Sequence, residues 1–322
     1  MGSEDVVVFT HGHCFDGLCS AAAFVRLLEH IEGRPLRFRF QAAMYGPEQN
    51  GVLESKLTGG VNAILDYRYT QSDRLTWYFD HHRTAFATPE DRASFDARGD
   101  KLWFFDAERP SCTGLVASIA EKKFGLSSEP IAEIVKYADM IDAAAFPSAA
   151  WAVESLDPVM RFATVVEHAG DSGFLARMVP RLLAEPLVQI ASSEEIQKAF
   201  EPLGARLQTF VQLVKKNATV RGQVVLVDMG SETIEIASKF ATYALFPECA
   251  YSIVVTRHAG RCKISVGYNP WSPHTRRHDI SAICKRHGGG GHAVVGAVTI
   301  ADDVQRARAI AVEIEAELSA PG

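Results

Sequence analysis

The sequence predicts an α/β protein of two domains: an N-terminal one with a largely parallel sheet flanked by helices, and a smaller C-terminal α/β one. Three observations predict it. Short apolar runs alternate with helix-length stretches through the first half of the chain. Several of those runs end in polar, metal-capable residues, as happens where open α/β sheets build sites at the carboxyl ends of strands. A long amphipathic stretch, Ser192 to Lys216, then leads into a second strand-rich region. The 322 residues, 47% of them hydrophobic, suffice for two ordinary cores.

Taken in order, Val6–Phe9 is the first strand, followed by the polar segment Thr10-His11-Gly12-His13-Cys14-Phe15-Asp16-Gly17 and a helix over Ser20–His30. Strands are expected at Leu36–Phe40, at Ala63–Leu65 closed by Asp66, and at Trp77–Asp80, which leads into His81 and His82. Ser111 caps a helix over Thr113–Phe124, which Gly125 ends. Ser127 to Leu183 reads as mainly helical and contains Tyr137-Ala138-Asp139-Met140-Ile141-Asp142. Pro202 interrupts the helix over Ser192–Lys216. Beyond Thr219, strands are expected at Gln223–Asp228, Tyr251–Arg257, Lys263–Gly267 and Val294–Ile300. Helices are expected at Glu235–Leu245, Ile280–His287 and Val304–Leu318. The domain boundaries follow: 1–190, a helical linker over 191–218, and 219–322.

Successive side chains of a strand point to opposite faces. If His81 binds a metal, His82 therefore points elsewhere, towards a substrate. A single aspartate at the end of a run is commonly a cap or turn residue, but four polar clusters, three after apolar runs, ask for more. Carboxylates with imidazoles, and no CxxC pair, suit manganese, magnesium or zinc. The six cysteines show no repeated spacing, which predicts free thiols in a reducing compartment, the cytoplasm. No apolar run approaches the ~18 residues of a membrane span. Met1-Gly2-Ser3-Glu4-Asp5 lacks a basic region, so no signal peptide is expected, and Val6 stands where a myristoylation signal has Ser or Thr.

In this order, His11, Asp16-Gly17, Asp66, Asp80-His81-His82, Asp142 and Gly289-Gly290-Gly291-His292 make the chain resemble the DHH/DHHA1 phosphoesterases, RecJ-like and oligoribonuclease-like, over nearly its whole length. The resemblance implies two divalent metal ions, usually manganese, bridged by a carboxylate and a hydroxide. Carried over by position, His11 holds the first metal, Asp66 bridges, and Asp16, His81 and Asp142 complete the second. Asp80 orients His81, and His82 donates to phosphoryl oxygens or the leaving group. Asp139 is the alternative to Asp142. The first motif departs from the family: it reads His-x-x-Cys-x-Asp-Gly, with Cys14 where a carboxylate is usual. A ligating Cys14 thiolate would favour zinc or iron; the other readings are a packed thiol, or His13 as ligand.

The glycines of Gly288 to Gly291 let backbone N–H groups approach an anion, or make a turn; His292 beside them favours the anion. Between Arg257 and His292 the only acid is Asp279, although the whole chain has a formal net charge of -6. Arg276 and Arg277 are candidates for gripping a polyanion. Asn269 would contact phosphate, and Trp271 would stack a base or pack between domains.

The expected function is that of a metal-dependent phosphoesterase working in the cleft between its domains, the first supplying metals and the second holding substrate. Its partner would be a nucleotide or a short single-stranded nucleic acid, without membrane association. Polyphosphate hydrolysis and non-catalytic nucleotide-binding regulation are the alternatives. Relatives are often dimers, which makes a homodimer a further expectation.

Overall fold

The structure, a computed structural model, describes residues 5–45, 51–98 and 102–320. Residues 1–4, on which most of the signal-peptide expectation rests, lie outside them. The first elements are β1 (Asp5–His11), α1 (Phe15–Glu32), β2 (Arg37–Ala43), β3 (Val61–Leu65), β4 (Trp77–Asp80), α2 (Pro89–Arg98), β5 (Trp103–Phe105) and α3 (Cys112–Phe124). A helical stretch follows: α4 (Ala132–Asp142), α5 (Ala149–Glu154), α6 (Pro158–Ala169), α7 (Ser172–Ala184), α8 (Leu187–Ala191) and α9 (Glu194–Asn217). The chain continues with β6 (Ala218–Arg221), β7 (Val224–Met229), α10 (Ala241–Leu245), β8 (Tyr251–His258), β9 (Arg261–Tyr268), α11 (Ile280–Arg286), β10 (Gly290–His292), β11 (Val295–Ala301) and α12 (Val304–Ser319). Two compact units result: Met1–Ala145 with Asp157–Phe200, and Phe146–Leu156 with Glu201–Gly322. Both are α/β.

The first unit holds a parallel five-stranded sheet in the order β2-β1-β3-β4-β5. The order reverses direction beside β1, the kind of switch point at which open α/β sheets bind ligands. Leu65 pairs with Thr10 on one side and Phe79 on the other, so His11, Asp66 and Asp80 emerge side by side at the carboxyl edge. On one face α1 buries Leu18, Phe24 and Leu27 and packs against α3, α4 and α7. Val7, Ile64, Tyr69, Tyr78 and Trp103 fill the opposite face, covered in part by Phe95 of α2.

Helix α1 begins at Phe15, five residues earlier than the sequence predicts. Cys14 is extended (φ -126°, ψ 130°) and its Sγ accepts the Gly17 N–H, so a thiol takes the place of the usual oxygen cap. Asp16 thus lies in the helix's first turn. Gly17 is required there: a Cβ would stand 2.4 Å from the His11 carbonyl oxygen. Ser111 and Gly125 cap α3 as predicted, Ser111 accepting the Gly114 N–H and Gly125 adopting the left-handed conformation (φ 66°).

The second unit holds a six-stranded sheet, β10-β11-β9-β8-β7-β6, antiparallel except for β7 beside β8. Ile253, Ile264, Val266, Ile283, Ile310 and Ile314 form a core between the sheet, α11 and α12. Val225, Val227, Phe210, Tyr243 and Ala149 fill the other face. The helix expected over Glu235–Leu245 shrinks to Ala241–Leu245, and Ile236 is instead buried in an irregular segment. No described helix is long and apolar enough to cross a membrane.

Candidate metal centre

At the carboxyl edge of the parallel sheet the chain gathers three donor sets whose ligand atoms lie within 4.8 Å of one another: His11, Cys14 and Asp66; Asp66, His81 and His82; and Asp16, His81 and Asp142. Strand ends supply His11, Asp66 and the histidines after β4. The first turn of α1 supplies Asp16, and the end of α4 supplies Asp142. Asp66 and His81 each belong to two sets. All six sequence-predicted ligands are therefore brought together. His13 is directed elsewhere, its Nδ1 3.2 Å from the Glu167 carbonyl oxygen. Asp139 accepts the hydroxyl proton of Ser111, the cap of α3, and is in none of the sets.

His81 Nε2 lies 3.3 Å from Asp142 Oδ2 and 3.6 Å from both Asp66 Oδ1 and Asp16 Oδ2. These contacts are too long or too poorly aligned to bond: His81 Nε2 and both Asp66 carboxylate oxygens are buried without a hydrogen-bond partner. Burying polar atoms unpaired is costly. Donors around one ion at about 2.1 Å stand roughly 3.0–3.4 Å apart in tetrahedral or octahedral geometry. The orphaned atoms and their spacing thus fit a divalent cation. Asp66 itself has φ 54°, a left-handed conformation that a short polar residue tolerates and that turns its carboxylate into the cluster.

Each donor is held from behind. The Asp16 carboxylate accepts the Cys112 N–H (2.7 Å), the Thr113 N–H (2.9 Å) and the Thr113 hydroxyl, all at the start of α3. His81 Nδ1 donates to the Arg109 carbonyl oxygen at 3.0 Å, which leaves Nε2 to face the carboxylates. Here the structure corrects the sequence reading. Asp80 orients the ring of His82, whose Nδ1 donates to Asp80 Oδ1 at 2.8 Å; for His81 the same oxygen accepts only the backbone N–H. Tyr78 donates to the other oxygen of Asp80.

Crowding shapes protonation. Burial, and then the charge of Asp16, push the Asp66 carboxyl up to about 8. Burial opposes the imidazolium of His81, yet Asp66, Asp16 and the Arg109 carbonyl outweigh it and raise His81 to about 10. The Asp80 hydrogen bond overcomes burial and raises His82 to about 9. Burial and the neighbouring carboxylates push the Cys14 thiol well above its usual range. Burial and His82 lower His11 and keep it a neutral donor.

In the second unit the structure removes one predicted contact. Asn269 is fully buried, its amide donating to the Pro247 and Cys249 carbonyls and accepting the Trp271 N–H, so it braces a turn and has no donor left for substrate. Trp271 donates to the Phe146 carbonyl and meets Phe240 edge-on, packing within its own unit. Arg276 donates to the His278 and Ala293 carbonyls, while Arg277 and His292 are exposed. Gly290 and Gly291 with His292 form edge strand β10 instead of an open loop. A Cβ on Gly289 or Gly291 would stand 2.2 or 2.3 Å from a β11 carbonyl oxygen. Sequence reasoning passed over Tyr45, Tyr67 and Arg68 beside the centre; the aromatic pair flanking a cation two residues after Asp66 was the available signal.

No family model matches the chain, and no curated protein does. Solved structures do match. One described as the pGpG-specific phosphodiesterase PggH from Vibrio cholerae has a TM-score of 0.67 at 19% identity, covering 97% of this chain and 99% of that one. The chain has the DHH/DHHA1 fold. An exopolyphosphatase-related protein from Bacteroides fragilis shares the fold at TM-score 0.55 and 15% identity, over 98% of this chain and 94% of that one. RecJ from Thermus thermophilus, solved with Mn2+, matches at TM-score 0.55 and 13% identity; 98% of this chain aligns with 52% of that longer one. The DHH/DHHA1 fold thus extends over both units.

Proposed function

We propose that the chain is a divalent-metal-dependent phosphoesterase that hydrolyses phosphodiester or phosphomonoester bonds of short nucleotides or single-stranded nucleic-acid ends. The observation that carries this is the convergence of three donor sets on shared Asp66 and His81, whose buried donor atoms lack hydrogen bonds. His11, Cys14 and Asp66 would hold one ion, and Asp16, Asp66, His81 and Asp142 the other. Manganese is the first choice, with zinc or iron favoured if Cys14 ligates as thiolate. When bound, such a pair supplies a water of lowered pKa and positive charge against phosphoryl oxygens. The chain's own residues do the rest. The Arg109 carbonyl and the start of α3 fix His81 and Asp16, and His82, charged at neutral pH and anchored by Asp80, donates its remaining N–H to a phosphoryl or leaving-group oxygen.

In this reading residues 1–190 carry the metals, 191–218 link, and 219–322 bind substrate through Arg276, Arg277, the Gly289-Gly290-Gly291 backbone and His292. The enzyme would work in the cytoplasm and pair as a homodimer. The whole-length likeness to PggH, described as acting on pGpG, supports a short nucleotide substrate. The likeness to an exopolyphosphatase-related protein keeps polyphosphate as the second reading.

The test incubates metal-stripped protein with short RNA and DNA oligomers, cyclic dinucleotides and polyphosphate, with manganese, zinc or neither. Metal-dependent cleavage that Asp66→Asn abolishes is expected. Binding without cleavage under any metal would replace this reading by a regulatory one.

A further inference from the structure

Beside the donor cluster stands a cation that nothing in the metal centre uses. Arg68 lies two residues after Asp66, on the segment leaving β3. Its Nε donates to the Thr84 carbonyl at 3.2 Å, and its guanidinium carbon sits 5.1 Å from the centre of the Tyr45 ring. Tyr45 packs on Tyr67 at 4.5 Å, and Tyr67 donates to the Met44 carbonyl at 2.7 Å, which ties the loop after β2 to the loop after β3. Tyr45 also meets the His11 ring edge-on at 5.3 Å, so Arg68 stands at most about 10 Å from a candidate ligand.

Two features set Arg68 apart. On the segments after β4 the arginines are paired: Arg83 with Glu108, Arg92 with Asp96, Arg109 with Asp106. Arg68 forms no ion pair among the described residues. It is also immobilised in advance, through Nε and through one guanidinium face, which leaves its terminal amino groups as an oriented fork for an oxyanion. Tyr45, 43% exposed, presents an aromatic edge next to it.

We infer that Arg68, braced by Tyr45, is a phosphate subsite that binds a terminal phosphomonoester of the substrate while the scissile phosphate occupies the donor cluster. This rests on the proposed phosphoesterase reading and narrows its substrates to short nucleotides carrying a phosphate besides the one cleaved. Charge-assisted hydrogen bonds of this kind change affinity about ten- to a hundredfold.

The test compares three dinucleotides, phosphorylated at the 5′ end, at the 3′ end or at neither. Binding to the full chain is measured calorimetrically in EDTA, and turnover is measured separately with manganese. The expected result is at least a roughly tenfold preference for one phosphorylated form, reduced to within about twofold in Arg68→Ala and Arg68→Gln. The KM for that form should rise by a similar factor with kcat nearly unchanged, and Arg68→Lys should restore part of the preference. Thermal melting of the variants confirms that they fold. Absence of any preference in the wild type, or a preference that survives in both neutral variants, overturns the subsite. An Arg68-dependent preference without turnover of any dinucleotide would keep the subsite and sink the phosphoesterase reading.

Discussion

Replacing Asp66 by asparagine should stabilise the metal-free protein while removing its turnover. The carboxylate is fully buried, neither oxygen has a hydrogen-bond partner, and Asp16 is a near neighbour. Its pKa rises from 3.8 to about 8. At about 1.36 kcal/mol per unit, that corresponds to a penalty of roughly 6 kcal/mol as an upper bound. The sign follows from the raised folded-state value. Below about pH 4 the group is protonated folded or unfolded and costs nothing; the penalty grows as pH rises and is complete above about 8. Part of it is returned by His81, whose proton Asp66 helps to hold, and asparagine forfeits that part. A net gain of about 1–3 kcal/mol near neutral pH remains, or roughly 2–12 °C in melting temperature for a domain of this size. Melting curves in EDTA between about pH 5 and 8 read it directly. The variant should melt higher than wild type by a margin that widens with pH, and manganese should raise only the wild type. A variant that melts lower in EDTA, or that manganese stabilises as much as wild type, would refute the reasoning.

Metal binding should release protons, since His81 and Asp66 hold theirs up to about 10 and about 8. Affinity should climb by up to about tenfold per pH unit for each proton displaced, seen by calorimetry in buffers of different ionisation enthalpy. Gly17→Ala places a methyl 2.4 Å from the His11 carbonyl oxygen and 2.7 Å from Thr10 Oγ1. It should cost about 1–3 kcal/mol in chemical denaturation and weaken manganese binding, because His11 and Asp16 flank the displaced contact. Thr113→Val removes a hydroxyl donor from Asp16 and should lower manganese affinity about ten- to a hundredfold, with Thr113→Ser restoring most of it. Asn269→Ala should cost about 2–4 kcal/mol of stability and leave KM within about twofold, the signature of a brace and not of a substrate contact.

The sequence made the first sheet legible because its strands are short, apolar and closed by polar residues. Trp77–Asp80 matches β4 residue for residue, and the Ser111 and Gly125 caps fix α3. The ligand series came from the family resemblance; strand ends at one sheet edge account only for His11, Asp66 and His81, since Asp16 and Asp142 lie on helices. Position in sequence says nothing of which way a carboxylate turns, so Asp80 was assigned to the wrong histidine. Asn269 looked free because its partners, two carbonyls about twenty residues away, have no sequence signature. β5 is three residues long and α2 is almost wholly polar, so neither shows a hydrophobic period.

The segment 109–113 has an engineering consequence. Its first carbonyl holds His81 and its last hydroxyl holds Asp16, one following β4 and the other following β1. One residue inserted there would change the spacing between the Arg109 carbonyl and the start of α3. Both ligands would lose their supports in a single step. Grafts and tags that must spare the centre therefore belong away from this segment, for example at the turn around Gly125, where α3 has already ended.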